Sequence, residues 1–197
     1  MKPLFKTNEN TSLDISGLTY IPDFITKEEE QSLIENIDNS PWLNDLKRRV
    51  QHYGYKYDYK ARAVNNDAYL GPLPEWVKPL SQRLFEEGVF PSAPDQMIVN
   101  EYEPGQGISA HVDCVPCFDG TIASLSLGSS CTMEFSNIRT QEKKEILLEE
   151  RSLIVLSDEA RYDWTHAIPG RKSDMINGQK IYRLRRASLT FRNVILS

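Results

Sequence analysis

The chain has 197 residues, 40% hydrophobic and 26% charged, with a net charge of −5. That length suits one globular domain with a substantial core, and the acidic balance excludes general attraction to polyanions, so any nucleic-acid contact must come from a local basic patch. No run approaches the roughly 18 apolar residues of a membrane span, the first residues lack a signal-peptide hydrophobic region, and three cysteines do not make a secreted disulfide scaffold. The expectation is a cytoplasmic monomer with no membrane association.

Residues 1–15 are polar and are expected to form an N-terminal arm, with 16–197 as a single domain. Leu18 to Ile25 is strand-like and runs into a capping box, Thr26-Lys27-Glu28-Glu29, which opens an amphipathic helix to about Asp38 with Leu33, Ile34 and Ile37 on one face. A second helix is predicted from Leu73 or Pro74 to about Glu87, stopped by Gly88. From Gln96 onward short β-rich runs alternate with turn residues. They comprise Met97–Tyr102, Ala123–Leu127, Thr132–Phe135, Ser152–Leu156 and Ala187–Arg192. The charged stretch Gln141 to Arg151 fits a solvated hairpin. The fold class is therefore mainly β with covering helices, a sandwich or jelly roll.

His111-Val112-Asp113 places two metal-ligand types two residues apart, hence on one face of a strand or its end. With 28 acids in 197 positions, each histidine has about a one-in-seven chance of an acid two residues on, so the pair alone carries little weight. Of the two other histidines, His52 lies in a separate upstream segment, whereas His166 follows the Leu153–Leu156 run after a loop. Two histidines and one carboxylate in a facial arrangement leave positions open on iron for co-substrate and O2. A chelating 2-oxo acid also brings a distal carboxylate, which an inward-facing arginine neutralises best. Arg186 and Arg192 stand an even number of residues apart on the last predicted strand, so both can face inward. Cys114 and Cys117 form a Cys-x-x-Cys pair, but without a second Cys/His pair at zinc spacing or a thioredoxin-like βαβ context they are expected to be two loop thiols.

These residues sit in four longer motifs: Asn100-Glu101-Tyr102-x-x-Gly105-x-x-Ile108-x-x-His111-Val112-Asp113, Ser124-Leu125-Ser126-Leu127-Gly128, Trp164-Thr165-His166 and Arg186-x-Ser188-x-Thr190-Phe191-Arg192. Together they resemble the AlkB family of Fe(II)/2-oxoglutarate dioxygenases, from about Tyr20 to Val194. The stretches Arg48–Tyr55 and Asn100–Ile108 look most like the oxygenase domain of the animal member that hydroxylates wobble-uridine side chains in tRNA. The resemblance implies a double-stranded β-helix core in which His111, Asp113 and His166 are the catalytic metal ligands for Fe(II). It also implies that Asn100, Tyr102, Arg186, Ser188 and Arg192 bind 2-oxoglutarate, with Arg186 on the distal carboxylate and Arg192 nearer the metal-bound end. Many relatives carry Asn where this chain has Ser188. The implied reaction consumes O2, oxidises a substrate C–H bond and yields succinate and CO2.

The segment Lys47 to Lys60 interleaves bases with aromatics, the combination that phosphate contact and base stacking need. In family terms it looks like a nucleotide-recognition lid at about 45–62, with Arg48, Arg49, Tyr53 and Tyr55 as substrate-binding candidates. The expected substrate is an alkylated base of RNA or single-stranded DNA, flipped from its stack. Arg171, Lys172, Arg183 and Arg185 would extend a basic rim. Two other readings share the sequence: a protein or small-molecule hydroxylase of the same superfamily, and a non-catalytic binding module.

Overall fold

The structure, a computed structural model, describes residues 13–44, 46–65 and 67–196. Most of the expected arm lies outside these residues. Its last part, 13–15, packs onto the body, with Ile15 only 6% exposed, because Leu13 and Ile15 give this end apolar surface to bury.

Strand β1 (Leu18–Ile21) is shorter than the apolar run foretold, since Asp23 turns the chain with φ of 45°. Helix α1 (Lys27–Asp38) begins at the predicted capping box, with Thr26 accepting from the Glu29 N–H and Glu29 accepting from the Thr26 N–H. After β2 (Val50–Tyr53), helix α2 (Lys78–Glu86) starts several residues later than expected. Pro79 explains the delay: proline fits only the first turn, where no intrahelical N–H is needed. Gly88, at φ of 76°, ends the helix.

The remaining elements are β3 (Gln96–Tyr102), β4 (Ile108–His111), β5 (Phe118–Gly128), β6 (Cys131–Asn137), β7 (Lys143–Leu148), β8 (Leu153–Leu156), the short helix α3 (Asp158–Tyr162), β9 (Trp164–Ile168), β10 (Ser173–Ile176), β11 (Gln179–Tyr182) and β12 (Arg186–Val194). They form a six-stranded sheet in the order β1-β8-β5-β12-β3-β2, a four-stranded sheet in the order β4-β9-β6-β7, and the hairpin β10-β11, with antiparallel pairing throughout. The charged stretch from Gln141 contributes β7, whose Ile146 and Leu148 are buried while Lys143 and Glu145 face solvent.

Side-chain alternation in β12 divides the molecule into two cores. Ala187, Leu189 and Phe191 face one core with Leu33 and Ile37 of α1 and Leu80 and Leu84 of α2. Arg186, Ser188, Thr190 and Arg192 face the opposite side, toward a cavity between the sheets. The partners of β12 keep that phase, so Asn100 of β3 and Ser126 of β5 flank Ser188, and Ile98 and Ser124 flank Thr190. A one-residue slip would bury four polar side chains against the helices and expel the aliphatic row, which fixes the register.

The β10-β11 hairpin is pinned at its root. Asp174 is buried and accepts from Arg183 through two nitrogens and from Arg171 through Nε at 2.8 Å. Burial would raise its carboxyl, but Arg183 and Arg171 hold it down at about 2. A carboxyl depressed in the folded state stabilises fully above its unfolded pKa near 4 and loses that contribution as pH falls toward 2. Asp174→Asn is therefore expected to cost about 3 kcal/mol at neutral pH, the scale for breaking a buried pair. Denaturant melts of both proteins from pH 7 to pH 2.5 should show the gap narrowing only below about pH 4; a gap independent of pH would remove the ion pair as its cause.

Candidate metal centre and co-substrate pocket

A cavity of about 560 Å³ opens between the two sheets, and its wall includes His111, Asp113, His166, Arg186 and Arg192. Antiparallel pairing of β4 with β9 sets His111 directly opposite His166, with ring centroids 4.4 Å apart. Asp113 lies two residues past the end of β4, with its Oδ2 3.4 Å from Nε2 of His166. One ligand atom from each of the three lies within 4.8 Å of the others. Gly107 belongs to this geometry, because a Cβ there would stand 2.1 Å from the Ile168 carbonyl oxygen at the end of β9.

The protonation states suit a divalent cation. Nδ1 of His111 donates to the Ser109 carbonyl at 2.8 Å, which leaves Nε2 as the ring nitrogen available to a metal. Burial pushes His166 down to about 4, so its imidazole is neutral at physiological pH. Burial would raise the Asp113 carboxyl, but Arg192, His166 and His111 hold it well below the usual carboxylate range. Arg192 donates to Oδ1 of Asp113 from Nε at 3.0 Å and from Nη2 at 2.7 Å, turning Oδ2 toward the histidines. Two imidazoles and one ionised carboxylate on one side of a cavity match the donor set of an iron(II) oxygenase.

The far wall fits a dicarboxylate co-substrate. Arg186 is 3% exposed; its Nη2 donates to Ser126 Oγ at 2.8 Å, while Nε and Nη1 are buried without a partner among the described residues. A guanidinium edge left unpaired in a protein interior is costly unless an anion takes it, and a carboxylate fits that edge bidentately. Its guanidinium lies over the ring of Tyr102, with the centroid 5.5 Å away, and Arg48 approaches the same ring at 5.8 Å. Asn100 and Ser188 occupy adjacent positions in the row between the two arginines. The Asn100 side-chain carbonyl accepts from Nε of Arg48 at 2.8 Å. Arg192 lines the cavity and donates to Asp113 and Gln96, so its guanidinium stands beside the metal ligand, at the metal end of the row.

The lid reaches the cavity with a different set of side chains from the one foreseen. Of the four candidates only Arg48 lines it, accompanied by Lys47, Tyr57, Tyr59 and Arg62. Arg49 is taken by Glu101 and stacks over Trp42, Tyr53 packs on Trp76 and donates to Gln51, and Tyr55 pairs with Tyr69. Tyr53 belongs to β2, whose register on β3 sends it toward the helix-side core, and the turn at Gly54 resets the phase so that Tyr57 and Tyr59 point inward. The basic rim is also thinner than expected. Arg171 and Arg183 are bound to Asp174, and Arg185 joins Glu101 to Asp38, which leaves Lys172 exposed among the four.

Cys114 and Cys117 are joined as a disulfide, correcting the expectation of two loop thiols. A tight turn, with the Cys117 and Phe118 N–H groups donating to the Cys114 carbonyl, brings their Cα atoms to 5.3 Å, within bridging range. Both sulfurs lie against the carbonyl oxygen of the lid residue Arg62, at 3.1 and 3.4 Å. Two residues invisible as site components in the sequence are Gln96, which accepts from Arg192, and Arg161, which reaches the backbone of the Asp113 loop from α3. Lone polar residues in strand and helix patterns gave no signal for either.

Comparison with known proteins agrees with this geometry. The family model described as the 2OG-Fe(II) oxygenase superfamily matches residues 17–192. An uncharacterized protein of Acanthamoeba polyphaga mimivirus is 40% identical over 187 residues, covering 92% of this chain and 87% of that protein. The Arabidopsis thaliana protein named alkylated DNA repair protein ALKBH8 homolog is 39% identical over 94% of this chain. The Mus musculus protein named tRNA (carboxymethyluridine(34)-5-O)-methyltransferase ALKBH8 is 38% identical over 85%. This chain spans 60% of the plant protein and 26% of the mouse protein. The solved structure of OsALKBH1 shares the fold, with a TM-score of 0.68 at 18% identity over 93% of this chain and 99% of that one. The jelly-roll sheets, the His111–Asp113–His166 cluster and the extent of the family match make the chain a member of the 2OG-Fe(II) oxygenase superfamily, a dioxygenase that uses Fe(II), 2-oxoglutarate and O2.

Proposed function

We propose that this dioxygenase oxidises a modified base, or a base side chain, of RNA or single-stranded DNA, with tRNA among the candidate substrates. The observation that carries the reading is the mouth of the cavity, where Lys47, Arg48 and Arg62 stand beside Tyr57 and Tyr59 above the three metal ligands. Cations that neutralise phosphates, set next to ring faces on which a base stacks, are what an enzyme needs to hold a base drawn out of its strand. Tyr57 and Tyr59 form an edge-to-face pair at 5.1 Å, and Tyr57 also packs on Phe118, which fixes the rings before substrate arrives. Burial raises both phenols, so they present neutral rings at physiological pH. The names of relatives supply supporting chemistry of the same kind: one is a tRNA methyltransferase and another, from Caenorhabditis elegans, a DNA N6-methyl adenine demethylase.

In this reading His111, Asp113 and His166 hold the iron, Arg186 receives the distal carboxylate of 2-oxoglutarate, and Asn100, Tyr102 and Ser188 line the co-substrate's path. When bound, iron and 2-oxoglutarate supply the activation of O2 that oxidises a substrate C–H bond while releasing succinate and CO2. The residues of the chain supply everything else. Arg192 keeps Asp113 ionised and oriented, and the Phe118, Ile154 and Leu156 side of the cavity excludes water from the reacting end. A methyl carbon on nitrogen would leave as formaldehyde after hydroxylation, whereas a carbon bonded only to carbon would keep its hydroxyl.

Asp113→Ala is expected to abolish succinate formation, because it removes the carboxylate ligand and leaves Arg192 without its anion. Arg186→Ala should raise the KM for 2-oxoglutarate by tenfold or more while iron binding persists, and an unchanged KM would reassign the distal carboxylate. Tyr59→Ala and Arg62→Ala should weaken binding of a single-stranded RNA oligonucleotide several-fold, more so for Arg62 at low salt, with the 2-oxoglutarate KM within twofold of native. Mass spectrometry of nucleosides from methylated DNA, methylated RNA and total tRNA, after incubation with the iron-loaded protein, tests the whole reading. Loss of a methyl or gain of one oxygen on a nucleoside is the expected result; turnover on none of the three pools would favour a protein or small-molecule substrate.

A further inference from the structure

Resting on the reading of Asp113 as a metal ligand, we propose that Arg161 is a positioning residue for the iron site, holding the backbone that presents Asp113 without touching metal or co-substrate. Arg161 lies in α3, outside every motif that points to iron chemistry, and is 2% exposed. Its guanidinium crosses to the loop that leaves β4. Nη1 donates to the Asp113 carbonyl at 3.0 Å, and Nη2 donates to the carbonyls of Cys114 at 3.3 Å and Phe118 at 3.4 Å. The Tyr162 ring covers its face, with the centroid 5.0 Å away.

The partners of this arginine separate it from an ordinary structural cation. Arg183, Arg185 and Arg151 all end on carboxylates, as expected for cations withdrawn from water. Arg161 is buried more deeply than any of these three, yet among the described residues its hydrogen-bond acceptors are three peptide carbonyls belonging to one six-residue segment, Asp113–Phe118. Burying a guanidinium without a paired carboxylate is costly, and what that cost secures here is the geometry of the segment alone. Because Asp113 stands beyond the end of β4, no sheet ladder fixes its own peptide; besides Arg161, the loop has its turn on the Cys114 carbonyl and, four residues past Asp113, the Ile195 N–H donating to the Cys117 carbonyl.

Two arginines thus divide the task. Arg192 aligns the Asp113 carboxylate through Oδ1, and Arg161 fixes the peptide from which that carboxylate hangs. With both in place Oδ2 is held 3.4 Å from His166 Nε2 before any metal arrives. A lysine cannot replace this fork, since a single ammonium has no planar array with which to span three carbonyls.

The test compares native protein with Arg161→Lys, using Co(II) as the probe in anaerobic titrations without 2-oxoglutarate. The expected result is a Co(II) Kd raised about tenfold to a hundredfold, the range for groups that orient a metal ligand, with altered d–d bands and a melting temperature within a few degrees of native. A folded Arg161→Lys protein with native Co(II) affinity and native bands overturns the proposal. Amide hydrogen exchange on the native metal-free protein covers the case in which the variant does not fold. The amides of Cys117 and Phe118 should already be protected before metal is added, and rapid exchange there until metal binds would show that the loop is not preset. Failure of the native chain itself to bind Co(II) would overturn the ligand assignment and, with it, the role given to Arg161.

Discussion

A carboxylate buried at the base of a cavity needs opposite charge around it or it takes up a proton, and a protonated Asp113 would be a poor metal ligand. Arg192 supplies that charge from the last strand of the six-stranded sheet, while Asp113 belongs to the loop that leaves the four-stranded one. This one pair therefore sets the ionisation of a ligand and joins the two sheets across the site. Arg192 is positioned in turn by the β12 register, through Gln96 on β3 and Ile122 on β5. The same alternation that sends Leu189 and Phe191 into the helix-side core aims Arg186 and Arg192 at the cavity, so core packing and the lining of the cavity are not independent properties of β12.

The parts of this architecture legible in sequence are those with a period or a fixed spacing. The capping box located α1, and the even separation of Arg186 and Arg192 placed both on one face of a strand. His111 and Asp113 came together with His166 because β4 and β9 pair, yet neither strand was foreseen: each is four or five residues long, too short for a period to emerge. The start of α2 was misplaced because Pro79, tolerated in a first turn, outweighs the apolar pattern that precedes it.

The lid shows a different limit. Its composition pointed to nucleic-acid contact, but which rings face the cavity depends on a phase change at Gly54, where φ of 76° separates the β2 side chains from those of Tyr57 and Tyr59. A list of alternating tyrosines cannot reveal that shift. Likewise the basic residues near the C-terminal hairpin looked like a rim until their partners appeared, and Asp174, Glu101 and Asp38 take up three of the four. Glu101 and Asp38 lie far from Arg185 in sequence and leave no local trace, and a nearby acid such as Asp174 does not by its spacing alone reveal that it is buried between two arginines.

Two lid carbonyls connect the lid to the groups around Asp113. The Arg62 carbonyl rests on the sulfurs of Cys114 and Cys117, immediately after Asp113, and the Tyr55 carbonyl accepts from Gln96, which itself accepts from Arg192. Arg62 holds a left-handed φ of 52°, a conformation that costs a non-glycine residue energy and persists where surrounding contacts enforce it. The segment proposed to meet substrate is therefore braced against the same loop and the same arginine that position Asp113. Lid and Asp113 loop are thus linked through groups already in contact. For that reason the effect of a lid substitution on turnover separates into substrate contact and metal geometry only when metal affinity is measured beside it.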